Sequence, residues 1–93
     1  MISVIVTLTL LLSNLGYTEQ EIKCTMNLVQ RESNFNVDSR NKQSGAYGLF
    51  QILNIKGTLT VPRQVERFDK YIKKRYNGNP CKAWDHFKLK KWY

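Results

Sequence analysis

A mainly α domain is the fold class this sequence predicts. Three observations lead there: a helix-start signature at Thr18–Glu21, apolar residues recurring at helical spacing after it, and two proline-marked helix starts at Pro62 and Pro80. The 93 residues suffice for one domain. A core that small buries a limited share of the surface and benefits from a covalent tie.

The chain opens on an apolar run from Ile2 to Leu12, interrupted only by Ser3, Thr7 and Thr9. It is too short for a membrane-spanning helix. Its uncharged, β-branched character and its place ahead of the first good helix start favour an export signal or signal anchor over residues 1–16. The competing reading is a buried first helix or strand of the fold. Residues 17–93 then form the domain proper.

Thr18-Glu19-Gln20-Glu21 fits a capping box, and Tyr17 and Ile22 are placed to staple it. Ile22, Met26 and Val29 recur at helical spacing, with Cys24 and Leu28 on an adjoining stripe, so this helix runs to about Ser33. The Asn-, Ser-, Asp- and Gly-rich stretch 34–48 reads as an ordered loop. Gly48 to Ile52 is a short apolar run that fits a short helix or a strand equally. Asn54 to Val61 is a connector. Pro62 opens the next helix, with Val65, Phe68, Ile72 and Tyr76 as its apolar stripe and Gly78 as its stop. Asn79-Pro80 repeats the start signal for a last short helix carrying Ala83, Trp84 and Phe87.

The formal net charge is +8, and 11 of the 15 basic residues lie from Lys56 onward. Such a surface attracts polyanions: nucleic acid, anionic lipid, or a cell wall rich in carboxylates and phosphates. No nucleic-acid-binding motif accompanies the charge. The aromatics near it (Tyr71, Tyr76, Trp84, Phe87, Trp92, Tyr93) suit stacking on sugars as well as on bases. The two cysteines, Cys24 and Cys81, lack zinc-type spacing, and His86 is the only histidine, so no metal site and no cofactor are expected. The pair reads either as a disulfide in an exported chain or as two buried thiols.

Chemistry concentrates in Arg31-Glu32-Ser33-Asn34-Phe35-Asn36 and Ser44-Gly45-Ala46-Tyr47-Gly48-Leu49-Phe50-Gln51-Ile52. A glutamate in the last turn of a helix faces the negative pole, which disfavours its charged form. Apolar neighbours such as Phe35 and Leu49 raise its pKa further by desolvation. A carboxyl kept protonated near neutral pH can protonate a leaving oxygen. Glycine lets backbone approach a ligand closely, and Gln51 can both donate and accept hydrogen bonds.

The pattern E-S-x-F-N followed by S-G-A-x-G-L-x-Q-I resembles the soluble lytic transglycosylase (SLT) domain of the goose-type, lysozyme-like superfamily. Tyr71 to Tyr76, Asn79 to His86 and Trp92-Tyr93 resemble the C-terminal part of its small phage and actinobacterial members. Those members also carry a cysteine eight positions before the glutamate, as Cys24 stands here. The resemblance covers residues 17–93 and implies a minimal lysozyme-like helical fold and a Cys24–Cys81 disulfide. It further implies a lytic transglycosylase that cleaves the MurNAc–GlcNAc β-1,4 bond of peptidoglycan. In that reaction Glu32 protonates the glycosidic oxygen, then takes the proton of the muramic C6 hydroxyl as it closes a 1,6-anhydro ring. A nucleophile within the same sugar explains how one carboxylate can suffice. Asp38 and Asp85, the nearest candidates for a second, read as turn or surface residues.

By the same resemblance Gln51 and the Gly48-Leu49 backbone line the cleft, and Asn41 or Ser44 bonds the glutamate or an acetamido group. Tyr47 is a sugar platform or core, Tyr71 is a further substrate contact, Trp84 either stacks on sugar or packs the core, and His86 either approaches the cleft as a substrate contact or is structural. Trp84 stands where many members carry a tyrosine beside the glutamate. The segment between Ile52 and Arg63 is shorter than in the family, so a shallow groove is expected. The implied partner is the peptidoglycan glycan strand. The implied setting is secreted, periplasmic or cell-wall associated, including phage lysis or a virion, for a monomer with transient membrane contact through its N-terminal segment. Competing readings are a hydrolytic lysozyme on the same fold, a non-catalytic peptidoglycan-binding module, and a basic membrane- or nucleic-acid-binding protein.

Overall fold

A computed structural model describes residues 3–93. Among these residues four helices account for the regular structure: α1 (Val4–Asn14), α2 (Glu19–Ser33), α3 (Val61–Arg75) and α4 (Pro80–Lys90). Each begins at a side-chain cap that satisfies a backbone N–H the helix cannot bond itself. Ser3 accepts from the Val6 N–H, Thr60 from Arg63 and Asn79 from Cys81. The capping box at Thr18 is complete: Thr18 Oγ1 accepts from the Glu21 N–H at 3.1 Å, and Glu21 Oε1 accepts from the Thr18 N–H at 2.8 Å.

Helix α1 packs against both α2 and α3, and α4 lies along α2. Leu8 and Leu12 of α1 are fully buried and join Leu28 and Val29 of α2, Phe68 and Ile72 of α3, and Ala83 of α4 in one core. The apolar N-terminal run is therefore, over Val4–Asn14, a packed helix of the fold. The boundary at 16/17 falls in the turn that joins it to α2. Met1 and Ile2, the start of the expected export segment, lie outside the described residues. Among those described, no helix is long and apolar enough to cross a membrane.

Residues 34–60 carry no regular element. Gly48 to Ile52, read as a short helix or strand, is a turn segment pinned by isolated antiparallel bridges, Arg40 with Tyr47 and Tyr47 with Ile52. Side chains supply the cross-links that a strand ladder would otherwise give. The Arg40 guanidinium donates to the carbonyls of Gly45, Ile55 and Gly57 while lying 4.6 Å from the Tyr47 ring centroid. Gln64 of α3, only 3% exposed, donates to the carbonyls of Val37 and Leu59 and accepts from the Leu49 N–H. One buried amide thus ties three loop segments to α3.

Two further ties hold α2 and the loop that follows it against the other helices. Cys24 on α2 and Cys81 on α4 form a disulfide across a sequence separation of 57. Phe50 stacks on Phe68 at 4.3 Å, which anchors the loop segment to α3.

Candidate functional site

The last turn of α2 carries Glu32. Its wall-mates come from two other places: the segment Gln51–Asn54 after the stacked Phe50, and the residues that succeed α4. Together Glu32, Gln51, Ile52, Leu53, Asn54, Tyr71, Lys91, Trp92 and Tyr93 line an open cleft of about 490 Å³. That volume is of the size that holds a small ligand. A separate void of about 10 Å³ under Tyr47, Phe50 and Ile55 has room for no more than a water.

Among the described residues Glu32 is the only acidic side chain on the cleft wall. Burial raises its pKa from the ordinary 4.5 to about 7, and no neighbouring charge or hydrogen bond offsets that effect. The physical cause is desolvation: removing water penalises the carboxylate more than the neutral acid. Near neutral pH a substantial share of Glu32 therefore holds a proton it can deliver.

Two phenols share this wall with the carboxyl. Tyr93 is buried and donates from Oη to the Phe50 carbonyl at 2.6 Å. Burial, then the negative charge of Glu32, pushes its hydroxyl well above the usual range. Tyr71 is half-buried; burial raises it too, with a smaller contribution from Glu32. The Tyr71 and Tyr76 hydroxyls both donate to the main-chain oxygen of Tyr93, which fixes the end of this wall. Tyr71 and Tyr93 stay protonated donors through the physiological range.

Trp92 is 51% exposed at the cleft edge, and its orientation is set from behind. The Arg75 guanidinium sits 4.9 Å from its ring centroid, and the His86 ring meets it edge-on at 4.3 Å. His86 Nδ1 also bonds the Trp92 carbonyl oxygen at 2.9 Å.

The structure brings together Glu32, Gln51 and Tyr71 of the residues singled out in the sequence. Gln51 adopts a left-handed backbone, φ 51°, and its amide nitrogen donates to the Ser39 and Gly48 carbonyls. It therefore shapes the wall as well as lining it. Gly48 and Leu49 lie beneath the cleft rather than on it. Leu49 is fully buried, its N–H donates to Gln64, and its carbonyl accepts from Ser33. Tyr47 is buried with its hydroxyl on Asp38, a core position.

Asn41 and Ser44 order their own loop. Asn41 Oδ1 accepts from the Gln43 and Ser44 N–H groups, and Ser44 Oγ accepts from Ala46. Neither lines the cleft. Trp84 stacks on Phe87 on the flank of α4, and His86 stands behind Trp92 rather than in the cleft. The cleft residues that the sequence does not assign to the site are Ile52, Leu53, Asn54, Lys91, Trp92 and Tyr93. Trp92-Tyr93 stands out in the sequence as a C-terminal pattern, but nothing local says that this end folds back beside Glu32.

No protein-family model matches the chain, and neither does any curated protein or solved structure.

Proposed function

We propose that the protein is a peptidoglycan lytic transglycosylase with Glu32 as its acid and base. The observation that carries the reading is a lone acidic side chain, with a pKa raised to about 7, on the wall of an aromatic-edged cleft. The resemblance of residues 31–36 and 44–52 to the SLT signature supports the same assignment. It also supports a lysozyme-like arrangement of the helices.

The chemistry balances on this one group. Protonated Glu32 gives its proton to the glycosidic oxygen as the C1–O bond of the muramic sugar breaks, and the departing sugar leaves with a free hydroxyl. The C6 hydroxyl oxygen of the same muramic sugar bonds to C1. Its proton returns to the Glu32 carboxylate, so the acid is regenerated and no water is consumed. An internal nucleophile is already held near C1, which replaces the second carboxylate that most glycosidases need. Tyr71 and Tyr93 keep the carboxyl's surroundings dry and supply neutral dipoles instead of charges. The Cys24–Cys81 bond fits an oxidising compartment, so the enzyme acts outside the cytosol, at the cell wall.

The test is mass spectrometry of purified peptidoglycan after incubation with the native protein and with Glu32→Gln. Anhydro-muramyl ends from the native protein alone are the expected result. Reducing ends heavier by one water would assign a hydrolytic lysozyme instead. An absence of products from the native protein would refute the enzyme reading.

A further inference from the structure

The end of α4 contributes Lys91 and Trp92 to the cleft wall, side by side. Lys91 ends the helix in the left-handed region, φ 67°, with its N–H on the Phe87 carbonyl. Glycine is the unstrained residue for that position, and a long side chain is disfavoured there. A strained, non-glycine residue on a cleft wall points to a use for its side chain. The ammonium is not spent within the fold: the ion pairs among the described residues are Arg63–Glu66, Lys73–Asp69 and Lys88–Asp85. Lys91 is also, among the described residues, the only cationic side chain on the cleft wall.

Its neighbour Trp92 leaves half of its surface to solvent at the cleft edge. Arg75 and His86 hold the ring in one orientation, so its free surface is preorganised. A flat apolar surface next to an unpaired ammonium matches a sugar with an acidic substituent: ring C–H groups against the indole, carboxylate against Lys91.

We propose that Lys91 and Trp92 together select glycans whose sugars carry a carboxylate, over neutral glycans of the same length. This rests on the cleft being a glycan site. Peptidoglycan offers the carboxylate from two sources, the lactyl group of a muramic sugar without peptide and the peptide stem itself.

The experiment measures binding, separately from cleavage, by calorimetry on the Glu32→Gln protein, which cannot turn the ligand over. The ligands are chitotetraose, a GlcNAc–MurNAc tetrasaccharide without peptide, and the same tetrasaccharide with peptide. The expected result is about three- to fivefold tighter binding of one or both acidic ligands at low ionic strength, with the difference shrinking in about 0.5 M salt. Adding Lys91→Met or Lys91→Gly removes the difference; the glycine variant also relieves the left-handed backbone, so loss of selectivity there is not loss of folding. Adding Lys23→Met, on α2 away from the cleft wall, leaves the difference in place and excludes a general effect of net charge. Adding Trp92→Ala weakens all three ligands alike.

Preference for the peptide-free ligand assigns the lactyl carboxylate; preference only for the peptide-bearing one assigns the stem. No binding, equal binding, or a preference that survives Lys91→Gly overturns the inference. Cleavage without a Lys91-dependent preference leaves the enzyme standing and removes this proposal. A Lys91-dependent preference without cleavage does the reverse.

Discussion

Replacing Glu32 with glutamine has a consequence for stability that can be measured without any substrate. Glu32 titrates at its ordinary 4.5 in the unfolded chain and at about 7 in the folded protein. At about pH 4 and below it is largely neutral in both states and contributes little. Between pH 4.5 and 7 the unfolded chain ionises first, so the folded state binds more protons and stability falls as pH rises. Above pH 7 the penalty levels off. Full conversion of the gap gives about 3.4 kcal/mol at ~1.36 kcal/mol per pKa unit. Solvent on the open side of the cleft screens part of it, leaving about 1–2 kcal/mol. Glu32→Gln keeps the shape and removes the charge. It should therefore be more stable than the native protein by that amount at about pH 8, or by roughly 5–15 °C in melting temperature. At about pH 4 the two should melt together. Thermal melts by circular dichroism across roughly pH 4–8 decide the matter. A native–variant difference that stays flat with pH would show that the carboxyl is not desolvated, and the acid role would lose its physical basis.

Other perturbations probe the frame around the site. Opening the Cys24–Cys81 link, by reduction or by paired serine substitution, removes a cross-link that closes a long loop. Chain entropy predicts a loss of about 4 kcal/mol, readable as a lower urea midpoint. Gly48→Ala would drive a methyl carbon into Gln64 Oε1, at a backbone φ of +83°. The displaced amide loses bonds to buried partners, so a cost of roughly 2–3 kcal/mol is expected in denaturant melts. Leu12→Ala, at a fully buried position of α1, should cost about 2–4 kcal/mol if that helix stays in the fold. A change within about 0.5 kcal/mol would mean that α1 does not pack in solution.

The helices are legible because their signals are local. The Thr18–Glu21 box, Pro62 and Asn79-Pro80 each bond or constrain groups within a turn, and α2, α3 and α4 start where those residues stand. The apolar N-terminal run is ambiguous for the opposite reason: its hydrophobicity serves a leader or a buried helix alike, and its packing partners on α2 and α3 lie far along the chain. Glu32 is readable from its pattern and its place at a helix end. The wall opposite is not, because Lys91, Trp92 and Tyr93 reach the cleft through the path of α4, which no short spacing encodes. The glycine motif illustrates a third case. Gly48 suggests the close approach of a ligand, and the group that approaches it is the Gln64 amide from α3.

The disulfide joins α2 and α4 at a distance from the cleft, and both helices then run toward it. From Cys24 to Glu32, and from Cys81 to Lys91, the helical rise amounts to about 12 and 15 Å. The arrangement is that of tongs with a covalent pivot, Glu32 at one tip and Lys91 and Trp92 at the other. Leverage results: a rotation of about 5° at the pivot moves a tip by about 1 Å at that arm length. A misplacement of that size can cost about 100-fold in rate. Substitutions between the two helices, such as at Phe87, where Arg31 of α2 lies 5.8 Å from the ring, would then retune the jaw while leaving every residue at its tips unchanged.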